Sequence, residues 1–424
     1  MKRILSFFLF LIICSPVFAV TEIRDTEIEL GLEKLIKPIA VAANIPDGRV
    51  RVHIIANDEF NAFVTSGEDV FIYTGLLTRI KSAEALQAVV AHEMGHMIGG
   101  HITQMSGRMR DEMTRTMIMQ ALGVGLMVAN PSAGAGLLMG SSGISRQSLL
   151  AFTRDEERLA DDLAIDLLIK AEIDPNGLVQ VLNQMQELTG DIETKINPYN
   201  KNHPLISERL NNVKEKIKSK PRTKRKIEIN VNYEIIRAKL IGYLQTENQV
   251  ENLYPSKNKS DAAIYARAIR YMRSGDLKSA KISTQELISR HPKNPYFYEL
   301  LGDIEYQFGH YDDSVLAYEK SLEIQKNAPQ IQTALALVLT ERNKVGDKDK
   351  AIQLAKRSIL TEPMPLSYLV LVKAYGDDAR SDWAYAEYYN MLKQEKKMRK
   401  YAKSAQSRLP KNSPEYIKAG DLLR

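Results

Sequence analysis

The stretch Ser82-Ala83-Glu84-Ala85-Leu86-Gln87-Ala88-Val89-Val90-Ala91-His92-Glu93-Met94-Gly95-His96 decides how this chain is read. Ser82 is a suitable helix N-cap, and Glu84 falls in the first turn, beside the positive end of the helix. Leu86, Val89, Val90 and Met97 then share one flank of a helix running to about Gly99. On that helix His92 and His96 project about 40° apart, one turn from each other, so both imidazoles reach one metal ion. Glu93 lies about 60° round from His96, beside the ion rather than on it, where a carboxylate can take a proton and return it. His-Glu-x-x-His, with small Ala85 and Ala88 near the histidine face, points to one Zn2+ per chain.

A catalytic zinc needs a third protein ligand and one open position. Three residues compete for that place. His101 stands nine residues after His92, about 180° away if the helix continues. In the metzincin pattern the last histidine stands ten residues after the first, which here is Ile102, although Gly99 fits the glycine of that pattern. His203 is more distant in sequence. Glu157 is preferred, because Thr153-Arg154-Asp155-Glu156 reads as a capping box that starts a second helix and gives Glu156 a structural task. Glu157 and Asp161 then lie four residues apart on one face, with Ala160 and Ala164 allowing close packing. Glu157 can bind the metal while Asp161 accepts the second ring N–H of a ligand histidine. Without the upstream motif, the same two residues would read as solvated carboxylates of an acidic first turn.

Outward from these helices the chain divides. Its 424 residues exceed one ordinary core, and 44% apolar with 26% charged residues indicates folded, soluble domains. The formal charge of +6 is too weak to argue for nucleic acid, and no phosphate-binding glycine loop or basic–aromatic array is present. Lys2, Arg3, an apolar run from Ile4 to Ile13 and a small residue at Ala19 read as a secretory signal peptide over residues 1–19, cleaved after Ala19. The run is shorter than the roughly 20 residues that span a bilayer. Cys14, the one cysteine, would leave with it, so the mature chain has no disulfide framework and no thiolate site. For a bacterial protein that means the periplasm.

Between Thr26 and Ala43 the pattern is helical, stopped by Asn44 and Pro46. Residues 50–55, 60–64 and 70–73 alternate as three strands, read as a small β-meander. Helices are expected from Thr153 to Ala171 and from Asn176 to Leu188. Residues 20–213 form the first domain, and a basic run at 214–226 is read as a linker. Residues 227–424 carry a second pattern. Gly275 and Gly309 are 34 residues apart, as are Ala280 and Ser314, and Gly346 and Ala351 repeat the spacing after three extra residues. This resembles the tetratricopeptide repeat, in which helix pairs stack to bury faces that one repeat cannot bury. The fold class is therefore mainly α (α+β): a metal-binding domain with a small sheet, then a helical solenoid.

His92-Glu93-Met94-Gly95-His96 followed by Glu157-Arg158-Leu159-Ala160-Asp161 resembles the ExxAD-type gluzincin proteases, relatives of the CAAX prenyl endopeptidases. Asn61-Ala62-Phe63 and Tyr73-Thr74-Gly75-Leu76-Leu77 match the strand before the zinc helix in that family. The secretory signal and the repeats narrow the resemblance to the group of periplasmic β-barrel assembly-enhancing proteases. The resemblance implies His92, His96 and Glu157 as ligands and Glu93 as acid and base. It also implies that His203, followed by Pro204 and six residues later by Arg209, sits over the metal. There His203 takes the fourth position and keeps the enzyme latent. Arg209 is read as a contact to the oxyanion or substrate carbonyl. Met117 to Gly140 falls where the family has a cover and a membrane-facing portion. A helical hairpin over the cleft is preferred there to peripheral bilayer contact.

The resulting expectation is a periplasmic zinc endopeptidase that degrades misfolded or stalled outer-membrane proteins. Its repeats would bind substrate or the β-barrel assembly machinery. The rival is a chaperone or adaptor whose zinc is structural and whose repeats do the work.

Overall fold

The computed structural model describes residues 22–46, 48–65, 69–101, 103–104, 152–189, 203, 206–220 and 232–424. The expected signal peptide, the Met117 to Gly140 cover, and residues 221–226 of the expected linker lie outside these. The described residues divide into two compact units. One holds Glu22–Ile23 and Glu29–Glu234, the other Arg24–Ile28 and Ile235–Arg424.

Helix α1 (Thr26–Ala42), in the first unit from Glu29 onward, buries Leu32, Leu35, Ile36 and Ile39, the i, i+3, i+4, i+7 stripe of a helix with one apolar face. It ends where Asn44 adopts φ 61°, with Asn44 N–H donating to the Val41 carbonyl and Ile45 N–H to that of Ala40. This Schellman closure uses asparagine in the left-handed position.

Strands β1 (Glu22–Ile23), β2 (Arg51–Ile55), β3 (Ala62–Val64) and β4 (Asp69–Tyr73) form one sheet in the order β1-β2-β4-β3. The expected meander is thus corrected. β2 and β4 run parallel, Val52 opposite Val70 and Ile54 opposite Ile72, while β3 lies antiparallel on the far side of β4. The alternation located the strands and their buried face (Ile54, Val64, Val70, Ile72) but carries no information about neighbours. What redirects the chain is the segment after β2. Asn57 is tied to Thr74 and Gly75, so the chain passes the end of β4 before β3 begins.

Helix α2 (Thr74–Arg79) leads into α3 (Ala83–Ile98), which Ser82 caps by accepting from Ala85 N–H. Every residue of α3 from Ala85 to His96 is buried. Such a helix lies inside its domain rather than on its surface. It packs against α4 (Arg154–Lys170), α5 (Asn176–Thr189) and β3. Helix α6 (Ile206–Ser219) packs on α4 and α5, so Lys214–Ser219 of the expected linker are helical.

The second unit is built of helix pairs, following α7 (Tyr233–Leu244) and α8 (Glu247–Leu253). These are α9 (Asp261–Ser274) with α10 (Leu277–Arg290), α11 (Pro295–Phe308) with α12 (Tyr311–Ile324), α13 (Pro329–Arg342) with α14 (Asp347–Thr361), and α15 (Pro365–Tyr375) with α16 (Arg380–Met391). Helices α17 (Glu395–Arg408) and α18 (Pro414–Asp421) close the series. The expected 34-residue period is the offset from α9 to α11, 261 to 295, and from α10 to α12, 277 to 311. Gly275 and Gly309 end their helices at φ 82° and 77°, a conformation side-chain-bearing residues resist. Ala280, Ser314 and Ala351 are fully buried between paired helices. Two of the three extra residues of the third unit lie in the α13–α14 turn, residues 343–346, where Asn343 and Gly346 both take positive φ.

Candidate metal centre

Helix α3 presents His92, Glu93 and His96 on its buried side, and α4 presents Glu157 and Asp161. Two local features fix how these helices meet. Thr153 accepts from Glu156 N–H while the Glu156 carboxylate accepts from Thr153 N–H, so the expected capping box sets the start of α4. Gly95 faces Ala160 so closely that a Cβ at residue 95 would lie 2.6 Å from the Ala160 carbonyl oxygen.

Ligand atoms of His92, His96, Glu157 and His203 all lie within 4.8 Å of one another, and all four residues are buried. His92 Nε2 and His96 Nε2 are 3.1 Å apart. Each also lies close to Glu157, His92 Nε2 at 3.5 Å from Oε2 and His96 Nε2 at 3.4 Å from Oε1. His203 Nδ1 is 3.4 Å from His92 Nε2 and 2.8 Å from Glu157 Oε1, and its Nε2 is 3.7 Å from Glu93 Oε1.

The outer nitrogens of the histidine pair are engaged. His92 Nδ1 is 2.9 Å from Asp161 Oδ1, and His96 Nδ1 is 3.0 Å from His101 Nδ1. Three imidazoles and a carboxylate converging on one buried point form a donor set suited to a cation. The separations agree with the edges of a tetrahedron, about 3.3 Å for bonds of ~2.0–2.1 Å to zinc. The residues therefore fit a zinc-type ion.

Charge follows the same geometry. Burial opposes ionisation of Glu157, but the neighbouring His203 and Arg209 charges hold its carboxyl well below the usual range. Burial likewise opposes ionisation of Asp161, and Arg209 and His92 outweigh it, so its pKa is lowered. Burial, then the charges of His92 and His203, pushes His96 down to about 2, leaving a neutral ring with an available lone pair. For His92, burial and Arg209 act downward, but bonds to Asp161 and Glu157 outweigh them and raise it to about 9.

Two placements differ from expectation. His101 does not lie 180° round an extended helix, because the chain turns at Gly99 and at Gly100, where φ is 72°. It folds back onto the second ring nitrogen of His96, outside the four-group cluster. Arg209 donates from Nε and Nη2 to Asp161, at 2.9 and 2.8 Å, and its Nη1 is 2.7 Å from Glu157 Oε2. Its guanidinium thus faces two carboxylates of α4, with Nη2 also 3.3 Å from His92 Nε2. Phe152 had not been singled out. It stacks on His96 with ring centroids 3.8 Å apart. The available signal was an apolar residue just before the N-cap, whose usual hydrophobic partner four positions into the helix is here the polar Glu157.

Residues 27–217 match Peptidase family M48. Among individual proteins, the chain is similar to the beta-barrel assembly-enhancing protease of Escherichia coli (strain K12), 24% identical over 295 residues, 67% of this chain and 59% of that protein. It thus spans about three-fifths of the length of that relative. It is also similar to the mitochondrial metalloendopeptidase OMA1 of Schizosaccharomyces pombe, 25% identical over 44% of this chain and 52% of that protein. The metalloprotease LoiP of Escherichia coli is 26% identical over 42% of this chain and 67% of its own length. No helix among the described residues is long and apolar enough to cross a membrane.

Proposed function

We propose that this chain is a periplasmic zinc endopeptidase that acts in quality control and assembly of outer-membrane β-barrel proteins, degrading misfolded or stalled ones. The observation that carries this reading is the buried convergence of His92, His96 and Glu157, with Glu93 beside the convergence and outside the ligand set. The match of residues 27–217 to Peptidase family M48 and the relatives' names support it.

His92, His96 and Glu157 would hold the ion. Zinc, when bound, supplies Lewis acidity, which makes water a competent nucleophile near neutral pH and polarises a peptide carbonyl. Glu93 would take a proton at its carboxylate and return it to the departing amine. Asp161 and His101 hold the outer nitrogens of His92 and His96 and so fix which nitrogen faces inward. Arg209 keeps Glu157 and Asp161 ionised and oriented. Its pairing with them favours this positioning role over the oxyanion contact expected from sequence. His203 acts as a latch, since its Nδ1 joins the ligand atoms while its Nε2 faces Glu93. β3 ends the sheet and pairs only with β4 among the described residues, which leaves an edge for an extended substrate backbone. The repeat unit would bind substrate or the β-barrel assembly machinery.

One observation favours the adaptor reading. Four protein groups around one point is the closed set of a structural zinc site. Glu93→Gln separates the two. The peptidase reading expects cleavage of an unstructured protein to fall by about 10²-fold or more with zinc content unchanged. Cleavage that is insensitive to the substitution, or absent even from the His203→Ala chain, gives the function to the repeats. Zinc stoichiometry by mass spectrometry on His92→Ala and Glu157→Ala tests the ligand set directly.

A further inference from the structure

We propose that the outer face of helix α17 docks onto an anionic phospholipid bilayer. Residues 393–424 contain ten Lys and Arg against three Asp and Glu, a net +7 that exceeds the whole chain's formal charge of +6. The charge is also arranged. On α17, Lys396, Lys397, Lys400 and Lys403 fall within an arc of about 120°, and all four are exposed. Met398, Ala402 and Ala405 are buried on the opposite side, so the apolar face is already spent on the solenoid. Elsewhere in this helix the cations are neutralised locally, Arg399 by Glu395 and Arg408 by Asp382. None of the four lysines has an ion pair to a carboxylate among the described residues.

The form of the face selects the partner. The lysines lie along the outside of one helix, matching an extended sheet of negative charge rather than a bound strand in a groove. Single-stranded nucleic acid would use exposed aromatic faces as stacking platforms. Here Tyr401 stacks on Tyr385 and Tyr389, at centroid distances of 4.7 and 5.5 Å, and Lys397 and Lys400 lie over Tyr389 and Tyr401. Ring faces are thus committed within the protein, while none of the four exposed ammonium groups is neutralised by a carboxylate among the described residues, so each can meet a lipid phosphate. With no apolar face to insert, attachment would be electrostatic and reversible.

The test is co-sedimentation of the full chain with vesicles of phosphatidylcholine containing increasing phosphatidylglycerol. Binding is expected to rise with the anionic fraction and to fall at least tenfold between 50 and 300 mM salt, on the order expected for screened surface charge. The quadruple Lys→Gln variant at 396, 397, 400 and 403 should lose roughly 10²- to 10³-fold in partitioning, about fivefold per lysine. The quadruple Lys→Arg variant should retain binding, and both variants should keep the unfolding temperature. Three results overturn the proposal: no vesicle binding by the unaltered chain, equal binding by the Lys→Gln variant, or capture by immobilised polyglutamate or single-stranded DNA without any binding to vesicles.

Discussion

Gly95 and Ala160 meet backbone to backbone: a Cβ on residue 95 would sit 2.6 Å from the Ala160 carbonyl oxygen and 3.1 Å from its Cα. No flexible side chain is available to yield. Gly95→Ala must push α3 and α4 apart, and these helices carry the histidine pair and Glu157. The expected result is a loss of about 1–3 kcal/mol of stability, with bound zinc falling well below one per chain. Full zinc loading with an unchanged unfolding temperature would show that the helices adapt.

His203 stands among the ligand atoms, and the latch assigned to it has a definite direction. His203→Ala should raise cleavage of an unstructured protein severalfold while zinc is retained. Rates that stay level or fall, with the metal still present, count against the latch and leave His203 as an ordinary ligand.

Asp161 and His101 touch the outer ring nitrogens of His92 and His96, so their proposed effect on a metal would pass through those rings. Asp161→Asn and His101→Ala should each weaken zinc about 10- to 100-fold in chelator competition. Arg209→Lys, which keeps charge but loses the two-pronged contact to Asp161, should do the same more mildly. If zinc affinity were unchanged and only KM rose, Arg209 would instead be a substrate contact.

A second buried charge cluster, inside the repeat unit, predicts a pH effect. Lys239 Nζ lies 2.8 Å from Asp25, 3.2 Å from Glu27 and 3.3 Å from Glu299. Burial, against the pull of Lys239, pushes Glu299 up to about 8, and burial pushes Asp303 up to about 7. Because both carboxyls bind protons more tightly folded than unfolded, their stabilising contribution is present below about pH 4 and is lost as pH rises toward 8. Thermal unfolding should therefore show a falling stability contribution between these limits. Glu299→Gln with Asp303→Asn should flatten that slope. A slope of the opposite sign would mean that Lys239 dominates the cluster.

Much of the site was legible because its chemistry is local. His92, Glu93 and His96 lie within one turn and a half, and Thr153 with Glu156 announces where α4 begins. Glu157 and Asp161 then follow by helical arithmetic. His101 was misplaced because its position depends on a left-handed turn at Gly100, which periodicity extends straight through. Arg209 was placed over the site for a different reason. Its partners, Glu157 and Asp161, lie 52 and 48 residues earlier in the sequence, and spacing cannot reveal a pairing made only by the packing of α6 on α4. The meander failed in the same way, since alternation identifies β2 and β4 but not that they are neighbours. The repeats were easier, because α9 to α12 contact mainly what lies next to them in sequence.

The capping box at Thr153 also sets the angular place of the Glu157 carboxylate, because the helix counts from its cap. One residue inserted between Thr153 and Glu157 would swing that carboxylate by about 100° around the axis, away from both imidazoles. A protein engineer splicing a sensor or recognition loop into this domain therefore has no usable cut point in the five residues after Phe152.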